Sequence, residues 1–409
     1  MSVRAESLQR GSRAVGARQA AVLGIAFGVV AFWLALPPLH YRAVAVPIVI
    51  GVLAVATGIA AVTRGEHRVG WGAVAAGLLG IVGGVFATRA TVPHLTAVIT
   101  WSTLMAGMLR AATPLTFAAI GGMFSERSGV VNIGLEGMML MGAFFGAYGA
   151  DVTNSWVGGL FIGMAAGAAL ALVHAFFSIH LRADQIVGGT AVNFLALGIT
   201  GYLYIDIYGD RGTPNNLPAV PDVSFSWLRH IPPHGLGHFL DDSFGGLNLL
   251  VWMSFVVLIL SYVLMFKTPI GLRIRSVGEH PRAADTVGIS VYGVRYAAVT
   301  TSGALAALGG VFLSIGFVHS FTENMTAGRG FIALAALIFG NWRPFPAFGA
   351  ALLFGFSSAL APQLQNVDSW STYGFLFSAL PYLITLIAVA GVIGRSIPPA
   401  AIGRPYIKQ

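Results

Sequence analysis

Long apolar stretches follow one another along most of this chain, and they limit its fold more than any other feature of the sequence. Of the 409 residues, 56% are hydrophobic and only 9% are charged, whereas a soluble domain carries roughly 25% charged residues. So few charged side chains cannot cover a water-exposed surface of this size, and lipid must solvate much of it. The sequence therefore predicts an all-α polytopic membrane protein.

Twelve transmembrane spans are predicted, because a helix needs about 20 apolar residues to cross the hydrocarbon layer. Eight are long and clear, namely Ala20 to Leu36, Ala43 to Val62, Gly70 to Ala87, Trp156 to Phe177, Ile186 to Ile205, Asn248 to Phe266, Val294 to Val318 and Tyr373 to Gly394. Four are shorter, namely Thr113 to Phe124, Met138 to Ala150, Phe331 to Trp342 and Ala347 to Ala361. The 53 glycines are typical of closely packed membrane helices, because small residues let helix backbones approach.

Loop charge predicts the orientation of these spans, because arginine and lysine concentrate in cytoplasmic loops. Arginines precede the first span and five basic residues lie between Lys267 and Arg295, so both segments are expected in the cytoplasm. The segment Asp206 to Leu247 has five aspartates against two arginines and is expected outside. These placements agree only if Leu95 to Leu109 is an interfacial helix along the outer surface. The basic residues sort by loop and form no single polar face, so no nucleic-acid partner is expected.

The most unusual stretch is Phe124 to Gly137, which sets charged and amide side chains between two short apolar pieces. Glu126, Asn132 and Glu136 stand where an uncompensated charge in a bilayer costs about 2.5 kcal/mol or more. Three glycines allow irregular backbone, which lipid tolerates only when it is buried in protein or lines a wet cavity. The stretch indicates a broken helix beside a transport path. The alternative is an ordinary cytoplasmic turn.

A second interrupted stretch, Gly328 to Pro344, falls in the other half of the chain with a similar layout. Two short segments interrupted by glycine or proline, in corresponding halves, are a sequence indication of an inverted-repeat transporter with its path at their interface. The alternative is that Asn341 to Pro344 is only a tight turn.

The inner loop from Lys267 to Ile289 carries helical punctuation between two long spans. Pro281 suits a first helical turn, and Gly288 suits the left-handed end of a helix. A surface helix from Glu279 to Gly288 is therefore expected, and one so short needs a binding partner to be stable. Ala284 is expected on the packed contact with that partner. The alternative is a basic loop that only holds topology.

These three stretches resemble the signatures of the permease subunits of bacterial ABC importers for nucleosides and simple sugars. This is the ribose-type branch, distantly similar to branched-chain amino-acid permeases, and the resemblance covers about Ala90 to Gly394. It implies a ten-helix core like that of the cobalamin importer permease, in an inverted-repeat arrangement. Two departures stand out, since the family usually has Asn at the place of His280 and a larger basic or polar residue at that of Asn341.

The resemblance also implies an organisation and partners. Residues 1–19 would be a basic cytoplasmic tail, 20–69 two extra N-terminal helices, 70–394 the core with an outer loop at 206–247 and a coupling loop at 267–293, and 395–409 a cytoplasmic tail. The loop helix would dock into a separate ABC ATPase. The residues assigned to this coupling helix are Gly278, Glu279, Pro281, Ala283, Ala284 and Gly288. A second, paralogous permease and an external solute-binding lipoprotein complete the expected assembly in the bacterial cell membrane.

The sequence predicts a carrier and not an enzyme. It has no Gly-x-x-x-x-Gly-Lys-Ser/Thr loop for ATP, so the ATPase is expected to be another chain. No metal or cofactor is expected. Candidate path residues for a nucleoside or simple sugar are Glu126, Asn132, Glu136, Asn193, Phe331 and Trp342. The rival interpretation is an ion-coupled secondary transporter, which Glu126 and Glu136 keep open because such carriers use a carboxylate within a span.

The orientation is testable with thiol labelling, because the chain has no native cysteine. In intact cells, an impermeant thiol reagent should label Ser226→Cys in the outer loop and should not label Ser290→Cys in the coupling loop. The opposite labelling pattern would reverse the predicted topology and remove the cytoplasmic placement of the coupling loop.

Overall fold

The computed structural model describes residues 2–35, 43–89, 100–214, 216–231, 234–365, 379 and 396–408. Helices account for most of this part of the chain. In chain order they are α1 (Ser2–Ala35), α2 (Ala45–Thr63), α3 (His67–Arg89), α4 (Trp101–Arg127), α5 (Leu135–Thr153), α6 (Trp156–Ala175), α7 (Gln185–Tyr208), α8 (His234–Phe244), α9 (Leu249–Lys267), α10 (Pro269–Glu279), α11 (Pro281–Thr286), α12 (Val291–Val311), α13 (Arg329–Phe339) and α14 (Pro344–Gln365). Wider π-helical turns extend α6 through Phe176–His180 and α12 through Phe312–Val318.

Seven of the described helices are long and apolar enough to cross a membrane. They are α2, α4, α6 with its extension, α7, α9, α12 with its extension, and α14. Nine of the twelve predicted stretches coincide with helices to within a few residues. Two others, Ala20 to Leu36 and Thr113 to Phe124, overlap helices that begin much earlier, at Ser2 and Trp101. The twelfth, Tyr373 to Gly394, lies outside the described residues apart from residue 379. The prediction of an α-helical, multi-pass membrane protein is confirmed.

The predicted interfacial helix over Leu95 to Leu109 is wrong for residues 101–109, because these residues form the first part of α4; residues 95–99 lie outside the described part of the chain. Two residues that can disturb a helix, Thr113 and Pro114, lie inside α4. The Thr113 hydroxyl donates to the Leu109 carbonyl oxygen at 2.8 Å, so the polar side chain is satisfied locally. Since one helix replaces an interfacial helix and a short span, the expected number of crossings is unchanged.

The chain divides into two compact units. The first comprises residues 1–105 and 357–395, and in it α1, α2 and α3 pack against one another. Glycines form these contacts: Gly58 on α2 faces the backbone of Gly70 on α3, and Gly80 on α3 faces Gly28 on α1. Such small residues allow helices to pack closely in lipid.

The second unit comprises residues 106–356 and 396–409, and α5, α6 and α12 pack together at its centre. Gly142 on α5 lies directly against the backbone of Ala307 on α12. Gly167 on α6 and Gly303 on α12 face each other in the same way. Because lipid supplies no hydrophobic force between helices, close van der Waals contact of this kind holds the three together.

The predicted outer loop contains a small folded structure. Strand β1 (Asp222–Ser224) pairs antiparallel with β2 (Gly246–Asn248), with Val223 opposite Leu247. Between the strands lie a short 3₁₀ turn and α8, and the Arg229 guanidinium forms an ion pair with the Asp241 carboxylate. The Asn248 side chain then caps α9 by accepting the Leu250 backbone N–H at 2.9 Å.

The close packing predicts opposite effects for the same substitution at two glycines. Gly142→Ala places a Cβ against the backbone of Ala307, and such overpacking should lower the free energy of unfolding by about 1–3 kcal/mol. Gly198→Ala on α7 meets nothing within 4 Å and should leave stability unchanged or slightly higher, since Ala favours helix. Thermal unfolding in detergent measures both variants. Equal melting temperatures would contradict the close approach of α5 and α12.

Candidate functional site

The two interrupted stretches, nearly 200 residues apart in sequence, contact each other through buried charged side chains. The indole Nε1–H of Trp342 donates to the Glu126 carboxylate at 2.5 Å. Arg127, the last residue of α4, donates its Nε–H to the Trp342 carbonyl oxygen at 3.0 Å and Nη2–H to the Asn341 carbonyl oxygen at 3.4 Å. The end of α4 is thus fixed to the turn that follows α13.

Glu136, in the first turn of α5, caps the start of α13. Its two carboxylate oxygens accept the backbone N–H groups of Gly328 at 2.8 Å and Gly330 at 2.6 Å. The first amides of a helix have no partner within the helix and carry the positive end of its dipole, so they stabilise a buried carboxylate. Gly330 has to be glycine here, because a Cβ would meet the backbone of Glu136 at 2.5 Å.

The irregular segment between α4 and α5 is held by side-chain hydrogen bonds to α7 and α12. Asn132 is fully buried and donates to the Ser302 hydroxyl on α12 at 2.9 Å. Asn193 on α7 accepts the Gly137 N–H at 2.8 Å and donates to the Ile133 carbonyl oxygen at 3.0 Å. These bonds replace the helical ones that the break removes, as a buried break requires.

Sequence reasoning missed three residues that hold the same break. Gln185 on α7 accepts the Val131 N–H at 2.8 Å, and Nε2 of the buried His174 lies 3.0 Å from the Val131 carbonyl oxygen. Ser302 is the third, as the partner of Asn132. His174 lies in the last turn of α6. In the sequence, each of the three appears only as a polar residue within an apolar segment. That pattern does not show which group of the protein the residue binds.

An open cleft of about 280 Å³ lies between α5, α7 and the start of α13. Its lining includes three of the six candidate path residues, Glu136, Asn193 and Phe331. Two phenylalanine rings are turned out into it, with Phe194 70% exposed and Phe331 47% exposed. The cleft therefore offers flat apolar surfaces beside a carboxylate and an amide.

The other three candidates lie elsewhere. Asn132 is buried behind the cleft and is used in packing the break. Glu126 and Trp342 bind each other beyond the C-terminal end of α13, whereas Glu136 lies at its N-terminal end. Eleven residues of helix separate the two ends, which is about 16 Å at 1.5 Å per residue. The structure thus divides the candidates into a group at the cleft and a buried clamp at the far end of α13.

The predicted loop helix from Glu279 to Gly288 is present in a shorter form as α11, which begins at Pro281 and ends at Thr286. Gly278 and Glu279, which were assigned to it, belong to the end of α10. Gly288 follows it with φ of +83°, the left-handed conformation expected of a residue that ends a helix. Before α11, Gly278 lies against the backbone of Arg127 and Gly129, so a Cβ would not fit there. The loop therefore touches the turn that follows α4.

The expectation that Ala284 lies on a contact with a partner is wrong. Ala284 is 3% exposed and packs inside the chain in a small cluster with Val277, Val291 and Tyr406. Its neighbour Ala283 is exposed. Successive helical residues point about 100° apart, so the sequence could not decide which of the two alanines faces the protein.

The clamp between Glu126 and Trp342 predicts a selective loss of stability. Trp342→Phe keeps an aromatic ring and removes the N–H that the buried carboxylate accepts, which should cost about 1–3 kcal/mol. Trp227→Phe, at an exposed tryptophan of the outer segment, is the matched control and should cost little. Thermal unfolding in detergent compares the two variants. If both variants have the melting temperature of the wild-type chain, the hydrogen bond contributes nothing to stability.

Comparison with known proteins gives a family match over residues 104–389, to the family described as branched-chain amino acid transport system, permease component. The chain is 43% identical over 310 residues to the guanosine ABC transporter permease protein NupQ of Bacillus subtilis, covering 73% of this chain and 94% of that one. It is 39% identical over 328 residues to the nucleoside ABC transporter permease protein NupC of Lactococcus lactis, covering 77% of this chain and 100% of that one.

Bacillus subtilis also holds a more distant relative, the guanosine ABC transporter permease protein NupP, which is 24% identical over 263 residues, 60% of this chain and 70% of its own. Relatives of this chain therefore occur as pairs of permeases. No solved structure matches the chain. From the family match and the relatives, the chain belongs to the permease-component family of branched-chain amino acid transport systems and is a multi-pass permease subunit of an ABC importer.

Proposed function

We propose that this permease carries a nucleoside across the bacterial cell membrane. The observation that carries the proposal is the cleft beside α13, where the exposed rings of Phe194 and Phe331 stand next to Glu136 and Asn193. A nucleoside has a flat base that stacks on aromatic rings and sugar hydroxyls that bind polar groups. Both oxygens of Glu136 already accept one N–H each, but a carboxylate has about four acceptor positions, so it can still bind a hydroxyl.

The relatives support this choice of substrate over a simple sugar. The two reported at 43% and 39% identity bear the names of guanosine and nucleoside permeases, and the matches span almost their whole length. Aromatic rings at the cleft agree with a base, because stacking needs no particular hydrogen-bond pattern.

The proposed architecture is a ten-helix core in an inverted-repeat arrangement, preceded by two extra helices, with both termini in the cytoplasm. Its support is the likeness of the two breaks. Residues 128–134 join α4 to α5, residues 340–343 join α13 to α14, and Glu126 in the last turn of α4 binds Trp342 of the second connection. Irregular backbone at the interface of two halves is the pattern of transporters built from inverted repeats.

The proposed partners are an ABC ATPase, a second and paralogous permease, and an external solute-binding lipoprotein. The ATPase would dock on α11, whose exposed residues include Arg282, Ala283 and Thr286. A helix of six residues is too short to be stable alone, which agrees with a docking element. The paired relatives in Bacillus subtilis support a heterodimer of permeases. This chain then hydrolyses no ATP itself.

Reconstitution tests the proposal. Vesicles that contain this chain and its partner permease should accumulate radiolabelled guanosine only when the ATPase, ATP and the binding protein are all present. Unlabelled uridine should compete, and ribose and glucose should not. Accumulation without ATP, driven by a proton or sodium gradient, would establish the ion-coupled carrier, and competition by glucose alone would establish a sugar permease.

A matched pair of phenylalanines tests the cleft. Phe331→Ala should lower the rate of guanosine uptake about fivefold or more, since stacking of a base on an aromatic ring is worth about 1–3 kcal/mol. Phe345→Ala is the control, because Phe345 is also 47% exposed and lies outside the cleft lining. Uptake rates are compared at equal abundance of permease in the vesicles. Equal rates for the two variants would exclude the ring of Phe331 from the path.

A further inference from the structure

The last described segment of the chain, Ser396–Lys408, is bound along its length to the functional stretches. Its backbone donates three hydrogen bonds to three different segments: Ile397 N–H to the Asn341 side-chain oxygen at 2.9 Å, Ala401 N–H to the Gly278 carbonyl oxygen at 2.9 Å, and Gly403 N–H to the Gly129 carbonyl oxygen at 3.1 Å. Ala400 N–H adds a bond to the Glu279 carboxylate at 3.1 Å. We call this segment the C-terminal strap.

A buried arginine fixes the strap to the break after α4. Arg295 on α12 is 1% exposed. Its guanidinium donates from Nε to the Ser128 carbonyl oxygen at 3.2 Å and from Nη1 to the Arg404 carbonyl oxygen at 3.1 Å. A buried cation is costly unless its donors are satisfied. Because one acceptor belongs to the break and the other to the strap, neither can move far without the other.

A buried tyrosine fixes the other part of the strap to α11. Tyr406 is 6% exposed and packs against Val277, Ala284 and Val291. Its carbonyl oxygen accepts the Tyr292 hydroxyl at 3.2 Å. Burial raises the pKa of the Tyr406 hydroxyl above its usual value, and the adjacent Asp285 carboxylate of α11 raises it further. The ring therefore lies directly on the side of α11 that faces the protein.

We propose that the C-terminal strap positions α11 and transmits its displacement to the two interrupted stretches. Tyr406 is the positioning residue at α11, Arg295 links the strap to Ser128, and Asn341 anchors the strap beside the Glu126 to Trp342 clamp. The proposal rests on the proposed function, in which a partner ATPase moves α11. Along the chain, α11 is joined to α10 by His280 alone and to α12 by a short segment that contains Gly288 in the left-handed conformation.

The first test separates coupling from docking in the complete complex of this chain, its partner permease, ATPase and binding protein. Tyr406→Ala removes the buried ring, and Ile407→Ala, at the adjacent exposed residue, is the matched control. Guanosine transported per ATP hydrolysed is measured in vesicles. Tyr406→Ala should lower this ratio about fivefold or more, in the usual range of coupling between sites, while the ATPase still co-purifies. Ile407→Ala should keep the wild-type ratio.

A second pair of variants tests the far end of the strap without disturbing the core. Asn341→Gly removes the side-chain oxygen that Ile397 binds and suits the φ of +53° at that position. Asn154→Gly, with φ of +48° at the exposed end of α5, is its control. Asn341→Gly should also lower transport per ATP, and Asn154→Gly should not. This pair decides the outcome if Tyr406→Ala does not accumulate.

A wild-type ratio in Asn341→Gly would overturn the proposal, and so would equal ratios in Tyr406→Ala and Ile407→Ala. A loss of ATPase co-purification in Tyr406→Ala would also overturn it, because the strap would then shape the docking surface and not the transmission. Failure of the proposed function looks different, since the wild-type complex itself would show no ATP-dependent uptake of guanosine.

Discussion

The second compact unit depends on one requirement: a helix broken inside a membrane protein must have its freed backbone groups satisfied by other parts of the protein. The break between α4 and α5 meets this requirement with groups that are distant in sequence. Glu136 accepts two amides at the start of α13, and Asn193 takes one donor and one acceptor of the break itself. In lipid each unsatisfied group costs several kcal/mol. The break and α13 are therefore stable only together.

This mutual dependence explains why charged residues are tolerated in an apolar environment. The Glu126 carboxylate binds the Trp342 indole, and Arg127 binds the carbonyl oxygens of the same turn. The two ends of α13 are held by residues that flank the break, so the helix is bound to the break at both ends. One of these ends adjoins the open cleft.

Close packing by small residues provides the frame for these polar contacts. Glycines on α5, α6 and α12 bring the helix backbones into direct contact, and Ser302 on α12 is thereby within reach of Asn132. The strap adds a second kind of connection, since its backbone donates hydrogen bonds to the break and to the turn after α13, and its Tyr406 packs against Ala284 of α11. Together, the packed helices and the strap connect α11 to the buried polar groups of the break.

The sequence by itself determined the elements that depend on local composition. Apolar length marked the spans, because lipid requires every backbone group to bond within its own helix. Pro281 and Gly288 marked α11, because proline fixes a φ that suits a first helical turn and glycine tolerates the left-handed conformation that ends a helix. Only the tertiary structure decided which groups pair. Nothing in the local sequence shows that Glu136 binds Gly330, that Ala284 faces inward or that Arg295 binds the strap and not solvent. These choices depend on which helices are neighbours in space, and packing between segments far apart in the chain sets that.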